Sequence, residues 1–390
     1  MQKKYRVLHI FSGYGGGISS LILNLIENRT EEFEFATMAF SYKNGEHFVK
    51  KLADCETKCY TMPRPSESGY KRFKDYVNKV MRAGNYDAVH CHIAGFHAIP
   101  FEIAARKNKI NNFILHAHTT HFDSGIDRNR LTYMIGQYLN YRMSSCYMTC
   151  SDMAGDYVFG EKYLEKRKAY LIPNGIKKEV FLDDITEREK ENYMKEFGVD
   201  DNTTIILHVG RFSNPKNHEF IVDIAEKAEK EKKDFMVLLV GDGELFGPIK
   251  NKINKLHLAN RIRQLGRRLD ISKLMQFADC MILPSFYEGL PTVAVECQAA
   301  GTKIIISDKV TKQCDMGLGL VDFLPIDNVT PWINALKEIN FGHLPVKDCV
   351  EAIEKNGFTA SAAGIHYCNI LNKCIDKQGV GRNENTICDR

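Results

Sequence analysis

No stretch of this 390-residue sequence holds the roughly 20 consecutive apolar residues that span a bilayer. The start, Met1-Gln2-Lys3-Lys4-Tyr5-Arg6, leads into a short strand and then glycines, so no export signal is expected there. Charge of neither sign dominates: 53 Lys and Arg against 49 Asp and Glu leave a net +4. The concentrated basic stripe of a nucleic-acid binder is missing, and no nucleic acid is expected as partner. Twelve cysteines are present without the paired Cys-x-x-Cys knuckles of a structural zinc site, the nearest spacings being Cys55/Cys59 and Cys146/Cys150. Without an export signal they are expected to be reduced thiols in a cytoplasmic protein. There is no low-complexity tract, and the tail from Lys377 to Arg390 is polar enough to fray.

What the chain does contain is alternation. Tyr5 to Ile10, Phe33 to Phe40, the region of Cys59-Tyr60, Tyr86 to Cys91 and Asn112 to His116 read as short buried strands, separated by segments of helical periodicity such as Ile18 to Ile26 and Tyr70 to Met81. After Ile172-Pro173-Asn174-Gly175-Ile176 and a charged stretch from Thr186 to Lys195 the pattern resumes, with strands at Thr204–Val209, Phe235–Val240, Ile262–Leu265, Cys280–Leu283 and Lys303–Ile306. Strand and helix in turn predict parallel sheets covered on both faces, with ligands at the C-terminal strand ends. At this length one core is too few. The expected fold is therefore α/β: two doubly wound Rossmann-like domains facing each other across a cleft, 1–175 and 176–360, with a last helix near Ser361 to Cys374, in the segment 361–390, that could return to either domain.

The segment from Ser285 to Gly301 organises the second half. It follows the apolar run Cys280 to Pro284 and becomes an Ala/Val-rich helix, with Pro291 suited to the first helical position and the amides of Gly289 and Leu290 left for a phosphate. Glu288 lies in the loop and Glu296 about one and a half turns into the helix. A sugar nucleotide offers matching groups, hydroxyls at both ends and a diphosphate between. Val209 to Asn217 ends the first strand of this half and brings Arg211 and Lys216 to the same sheet edge, where two cations can meet a diphosphate. In Val240-Gly241-Asp242-Gly243-Glu244, Asp242 reads as a helix N-cap. Leu265-Gly266-Arg267 ends a third strand, where backbone groups can read a nucleobase edge or Gly266 only permit a turn.

The first half offers Ser12-Gly13-Tyr14-Gly15-Gly16-Gly17 after its first strand, a glycine loop that either turns or admits a phosphate; its spacing is not the dinucleotide Gly-x-Gly-x-x-Gly. His90-Cys91-His92 and the run His116-Ala117-His118-Thr119-Thr120-His121 stand at two further strand ends. Alternate histidines meet one metal ion only if their faces agree, and no carboxylate completes a shell, so no metal is expected. His118 is placed either to donate a hydrogen bond to a reacting sugar or to be satisfied by backbone. Asp127 to Met143 carries Arg128, Arg130 and Arg142 among aromatic and aliphatic residues, mostly core at helical spacing, with a minority able to face an acceptor. The basic helix around Lys71 is a solvated face or a contact for a membrane.

Gly15-Gly16-Gly17, His118, Pro173-Asn174-Gly175, Gly210-Arg211 with Lys216, Gly241-Asp242-Gly243 and the Glu288/Glu296 pair, an E-x7-E signature, together resemble the retaining glycosyltransferases of family 4, with the GT-B fold, and most closely bacterial capsular and exopolysaccharide enzymes. The resemblance covers Tyr5 to about Ile306; from Asp308 onward no motif matches. It implies a metal-independent hexosyltransferase using a nucleotide-diphosphate donor, UDP-hexose or UDP-N-acetylhexosamine, and a hydroxyl of a glycan or lipid-linked glycan, with no cofactor. By that resemblance Arg211 and Lys216 neutralise the diphosphate, and Glu296 holds the ribose hydroxyls. Glu288 with the amides of Gly289 and Leu290 holds the sugar and phosphate, Gly16 and Gly17 close on the diphosphate, and His118 faces the reacting carbon. A lipid-linked acceptor would bring the enzyme to the inner face of the membrane. The rivals are a nucleotide-sugar epimerase on the same fold, a non-catalytic sugar-nucleotide or glycan binder, and a nicotinamide-dependent dehydrogenase, which the glycine spacing disfavours.

Overall fold

The computed structural model describes residues 4–40, 45–120, 130–231, 234–338 and 342–376. They fall into two compact units, Met1–Gly175 with Ala360–Arg390, and Ile176–Thr359.

Among its described residues the first unit is built on seven strands: β1 (Tyr5–Phe11), β2 (Phe33–Phe40), β3 (Lys58–Met62), β4 (Ala88–Cys91), β5 (Asn112–Ala117), β6 (Cys146–Thr149) and β7 (Tyr170–Leu171). They form one parallel sheet in the order β3-β2-β1-β4-β5-β6-β7. The central strands are buried on both faces, as in a sheet covered by helices on each side, and are mostly apolar apart from residues such as His9, Thr37, His90 and His116. The order reverses direction between β1 and β4, which makes that junction the switch point where a doubly wound sheet opens a crevice. β6 and β7 were not expected from the sequence. Each is too short, at four and two residues, to show a period of its own.

The last helix, Ala360–Asp376, packs into the core of this unit: Tyr367, Cys368, Ile370 and Leu371 are buried with Val7, Ile22, Leu25, Phe33 and Phe35. Gly364 allows the approach, since a Cβ there would stand 2.5 Å from Cβ of Asn28. A disulfide joins Cys146 of β6 to Cys374 of this helix, with Cα atoms 6.2 Å apart, within the span a bridge can close. The expectation of reduced thiols fails at this pair. A pairing 228 residues apart is invisible to spacing.

Among its described residues the second unit has six strands: β8 (Thr204–Val209), β9 (Phe235–Val240), β10 (Ile262–Gly266), β11 (Cys280–Leu283), β12 (Lys303–Ser307) and β13 (Val321–Leu324), all parallel in the order β10-β9-β8-β11-β12-β13. Its switch point lies between β8 and β11. Trp332, fully buried against Phe220, anchors one side of the core and donates its indole N–H to the Pro325 carbonyl at 2.8 Å, so the burial leaves no donor unpaired. The charged stretch after Gly175 is a helix of this unit, Glu187–Phe197, started by a reciprocal capping box between Thr186 and Glu189.

Candidate active site

In the second unit the loops after β8 and β11, the two strands of the switch point, are tied together. Lys216 Nζ donates to Glu288 Oε1 at 2.5 Å, and Ser285 Oγ donates to the same oxygen at 2.8 Å. The two charged side chains are only 19% and 14% exposed, so their attraction is screened far less than that of a surface pair. The Lys216 stem lies over Gly210, where a Cβ would be 3.3 Å from Lys216 Cδ. A side chain at 210 would push the ammonium off its line.

Close backbone contacts hold the neighbouring loops. Gly210 N–H donates to Val240 O, Phe212 N–H to Asp242 O and Gly241 N–H to Gly266 O, at 2.9, 3.1 and 2.8 Å. Gly241 sits at φ +139°, with no room for a side chain, because a Cβ would lie 1.9 Å from the Gly210 oxygen. At Gly266, with φ +66°, an added Cβ would meet nothing within 4 Å, so only the backbone angle calls for glycine. Asp242 does not cap the next helix. That helix begins at Phe246, and the Asp242 carboxylate accepts from the Gly243 amide at 2.8 Å and faces Arg267 at 3.7 Å. Arg267 is 72% exposed, and Arg211, paired with Glu244 at 3.0 Å, is 64% exposed.

The helix after the β11 loop runs Thr292–Ala299, with Pro291 as its N-cap instead of its first residue. Gly289 and Leu290 precede the cap, Leu290 buried. Glu296 lies on the helix, and burial pushes its carboxyl up from 4.5 to about 7.

Two residues of this edge escaped the sequence reading. His208 on β8 donates from Nδ1 to the Ile282 carbonyl at 2.9 Å, and His218 stacks on Phe212 at 4.1 Å. Burial, with the Lys216 charge adding to it, lowers His218 to about 4, and burial lowers His208 well below 6.5. Both rings are neutral near pH 7, so neither adds its charge to that of Lys216 at the switch point. Their signal in the sequence was weak: each is a single polar residue beside an apolar run.

In the first unit Gly16 caps the helix Gly17–Glu27 with φ +83° and ψ −173°, a conformation open essentially only to glycine. Both Gly16 and Gly17 are exposed, with nothing within 4 Å of where a Cβ would be. Buried Ser19 shapes the loop by accepting from the Gly15 amide at 2.7 Å and donating to the Gly13 carbonyl at 3.0 Å.

Five histidines gather on one face of this sheet. His9 of β1 faces His90 of β4 in register, and His92, His116 and His118 continue the group, with ring centroids of neighbours 4.0 to 5.4 Å apart. Burial lowers His9 and His118 to about 3 and, with neighbouring imidazoles, lowers His90, His92 and His116 well below 6.5. The faces agree, which was one condition for a shared ion, and among the described residues two triads have the proximity a metal ion needs: His9, His90 and His92, and His92, His116 and His118. His121 and the arginine at 128 lie outside the described residues.

Residues 189–316 match the family model described as Glycosyl transferases group 1, and residues 15–180 match the model described as Glycosyltransferase Family 4. The chain belongs to the family 4 glycosyltransferases. As such a glycosyltransferase it is similar along nearly its whole length to EpsF of Bacillus subtilis strain 168, itself named as a glycosyltransferase, with 29% identity over 95% of this chain and 97% of EpsF. It is 26% identical to an Escherichia coli enzyme named UDP-Gal:alpha-D-GlcNAc-diphosphoundecaprenol alpha-1,3-galactosyltransferase, over 67% of this chain and 68% of that one. Among solved structures, Anabaena HepE in complex with UDP and glucose superposes with a TM-score of 0.73 over 95% of this chain and all of that one, at 17% identity. The fold is GT-B, with its two Rossmann-like domains. Among the described residues of the family 4 enzyme no helix is long and apolar enough to cross a membrane.

Proposed function

We propose that this glycosyltransferase moves a hexosyl group, with retention of configuration and without a metal, from a UDP-linked hexose or N-acetylhexosamine to a hydroxyl of a glycan or lipid-linked glycan during synthesis of a surface polysaccharide. The observation that carries this reading is the Lys216–Glu288 pair across the β8/β11 switch point, largely covered and ahead of a helix N-terminus. The Escherichia coli relative, whose name gives a UDP-linked donor and a diphosphoundecaprenol acceptor, supports the donor and acceptor classes.

In this reading the bond between the anomeric carbon and the diphosphate oxygen breaks, and the electron pair stays on the diphosphate. Lys216, Arg211 and the amides at Gly289 and Leu290 stabilise that charge as it develops. The acceptor oxygen attacks from the face of departure, and its proton passes to the leaving phosphate oxygen. Glu288 takes hydroxyls of the sugar, Glu296 the ribose hydroxyls, and backbone at Gly266 and Arg267 meets the base. Gly16, Gly17 and His118 are the first unit's contribution, to the diphosphate and the reacting sugar. A lipid-borne acceptor fits peripheral contact with the inner face of a membrane. The helix Tyr70–Gly84 buries Phe73, Val77, Val80 and Met81 in its own unit and leaves Lys71, Arg72 and Lys74 exposed, a cationic surface for anionic headgroups.

The test is binding and slow hydrolysis of a panel of sugar nucleotides by the native protein, Glu296→Ala and Lys216→Ala. One donor is expected to bind, and Lys216→Ala to lower its turnover by on the order of 10² to 10³. No binding, or substitutions without effect, would overturn the site. Conversion of the donor alone to a different sugar nucleotide would mark an epimerase instead.

A further inference from the structure

His118 is held at the end of a hydrogen-bonded chain that begins on the last helix. Tyr367 Oη lies 2.6 Å from His90 Nδ1 and 3.3 Å from His9 Nε2; His9 Nδ1 lies 3.1 Å from His92 Nε2; and His92 Nδ1 lies 2.7 Å from His118 Nε2. Tyr367, His9, His90 and His92 are buried, and His118 is half-buried. We propose that Tyr367, acting through His9 and His92, fixes His118 in the tautomer that carries its proton on Nδ1, so that the ring meets the donor sugar as a hydrogen-bond donor. The last clause rests on the function proposed above; the tautomer does not.

Proton counting gives the direction. Each neutral imidazole has one N–H, and the tyrosine has one O–H. Two arrangements satisfy all four contacts and also use the tyrosine O–H; a third, in which His9 and His90 both donate to the tyrosine oxygen, leaves that buried O–H outside the chain and is disfavoured. In one, Tyr367 donates to His9 Nε2, His9 Nδ1–H donates to His92, His92 Nδ1–H donates to His118 Nε2, and His118 is left with its proton on Nδ1; His90 Nδ1–H then donates to the tyrosine oxygen. In the other every proton is reversed, Tyr367 donates to His90, and His118 Nδ1 is bare. The two differ at His90 Nε2, a buried atom with no partner. The first leaves it a bare acceptor, and the second leaves it a buried N–H with nothing to receive it. Orphaned buried N–H groups are the rarer case in folded proteins, and the first arrangement is favoured.

The chain orients the ring and does not store a proton. His118, with Nδ1 protonated and Nε2 accepting from His92, has no nitrogen free for a further proton; and a proton given up at Nδ1 and replaced along the chain would come from His90, which would become an anion inside the core. The spacing also argues against coordination. Two imidazoles on one tetrahedral zinc, with bonds of about 2.0–2.1 Å, place their nitrogens roughly 3.3 Å apart, whereas His92 and His118 stand at 2.7 Å, the length of a hydrogen bond. His116 belongs to neither end of the chain; its ring packs against that of His118, with centroids 4.0 Å apart and planes tilted by 31°.

Tyr367, His9 and His92 are thus positioning residues, and the experiment reads the tautomer itself. Histidine labelled with ¹⁵N in the full-length protein, without substrate, is expected to show His118 protonated at Nδ1. Tyr367→Phe is expected to turn that signal into a mixture of tautomers and to lower kcat by on the order of tenfold or more, as a wrong tautomer does in other enzymes, with KM for the donor unchanged. His92→Gln, which cuts the chain in the middle, is expected to do the same if Tyr367→Phe folds poorly. A proton on Nε2 in the native protein, or a His118 signal indifferent to both substitutions, overturns the proposal. So does stoichiometric zinc, copper or nickel in the native protein by elemental analysis, since the rings would then be ligands. If the tautomer behaves as stated while His118→Ala retains full turnover, the chain stands and the role of His118 in the reaction falls.

Discussion

The C-terminal edges of the two sheets solve different problems with different residues. The edge of the second unit keeps its ions apart from its backbone contacts: Lys216 and Glu288 pair across the switch point, Arg211 and Arg267 stay on the surface, and glycines at 210, 241 and 243 let three loops touch. The edge of the first unit carries neutral rings, five histidines and a tyrosine joined by hydrogen bonds and ring contacts, beside a glycine turn with open space around it. One edge is equipped to meet charge. The other is equipped to hold a single ring in a defined protonation state.

The sharpest way to break this contrast is at the glycines. Gly241→Ala drives a Cβ to 1.9 Å from the Gly210 oxygen, and is expected to cost about 3 kcal/mol or more, read as a fall in the melting midpoint and loss of donor binding. Gly16→Ala meets no atom. Its cost is the backbone angle alone, about 1–3 kcal/mol, and a weakened donor KM is expected to be its main signature. Equal losses of stability at the two positions would erase the distinction drawn between them.

Glu296 separates stability from function at the charged edge. Its carboxyl is raised from 4.5 to about 7 by burial, so the folded state holds that proton more tightly than the unfolded chain does. The resulting contribution is complete below pH 4.5 and is lost as the pH rises through 7. Glu296→Gln stays neutral throughout. It is expected to be about 3 kcal/mol more stable than the native protein at pH 8 and no different at pH 4, while binding donor more weakly. Urea unfolding at the two pH values checks this, and a variant less stable at pH 8 would refute it. The smallest effect belongs to Glu244→Ala. The Arg211–Glu244 pair is more than half exposed on both sides, so the stability change should stay within about 0.5 kcal/mol, measured in the same titration.

How much of this was legible follows from where each signal sits in the chain. Lys216 and Glu288 are 72 residues apart, yet each closely follows an apolar strand, and a parallel sheet brings its strand ends to one edge, so their shared edge could be read from the order of elements, while their pairing needs β11 beside β8. His9 and His92 also follow from strands, but their contact depends on β4 lying beside β1 and on the register His9 opposite His90, neither of which periodicity supplies. Tyr367 lies where no motif matched, and its partners are 277 and 358 residues away. The N-cap expected at Asp242 failed because the loop spends that carboxylate on the Gly243 amide and starts its helix at Phe246. Pro291 missed its expected position by a single residue, the usual margin at a helix end.

The return of the last helix to the first unit has a consequence for how the molecule is made. The second unit is one continuous segment, Ile176–Thr359, and its outgoing and incoming ends lie side by side, Ile176 bridged to Thr359 with its amide on the Phe358 carbonyl at 2.8 Å. The first unit is interrupted. During synthesis its sheet emerges first, but Tyr367, Cys368, Ile370 and Leu371, which close its core, leave the ribosome only after the whole of the second unit. The second unit can therefore complete itself while the first still waits, its histidines lacking their tyrosine and Cys146 its partner. A chain that stops short of residue 360 would carry every family motif and still lack the piece that finishes the first of its two folds.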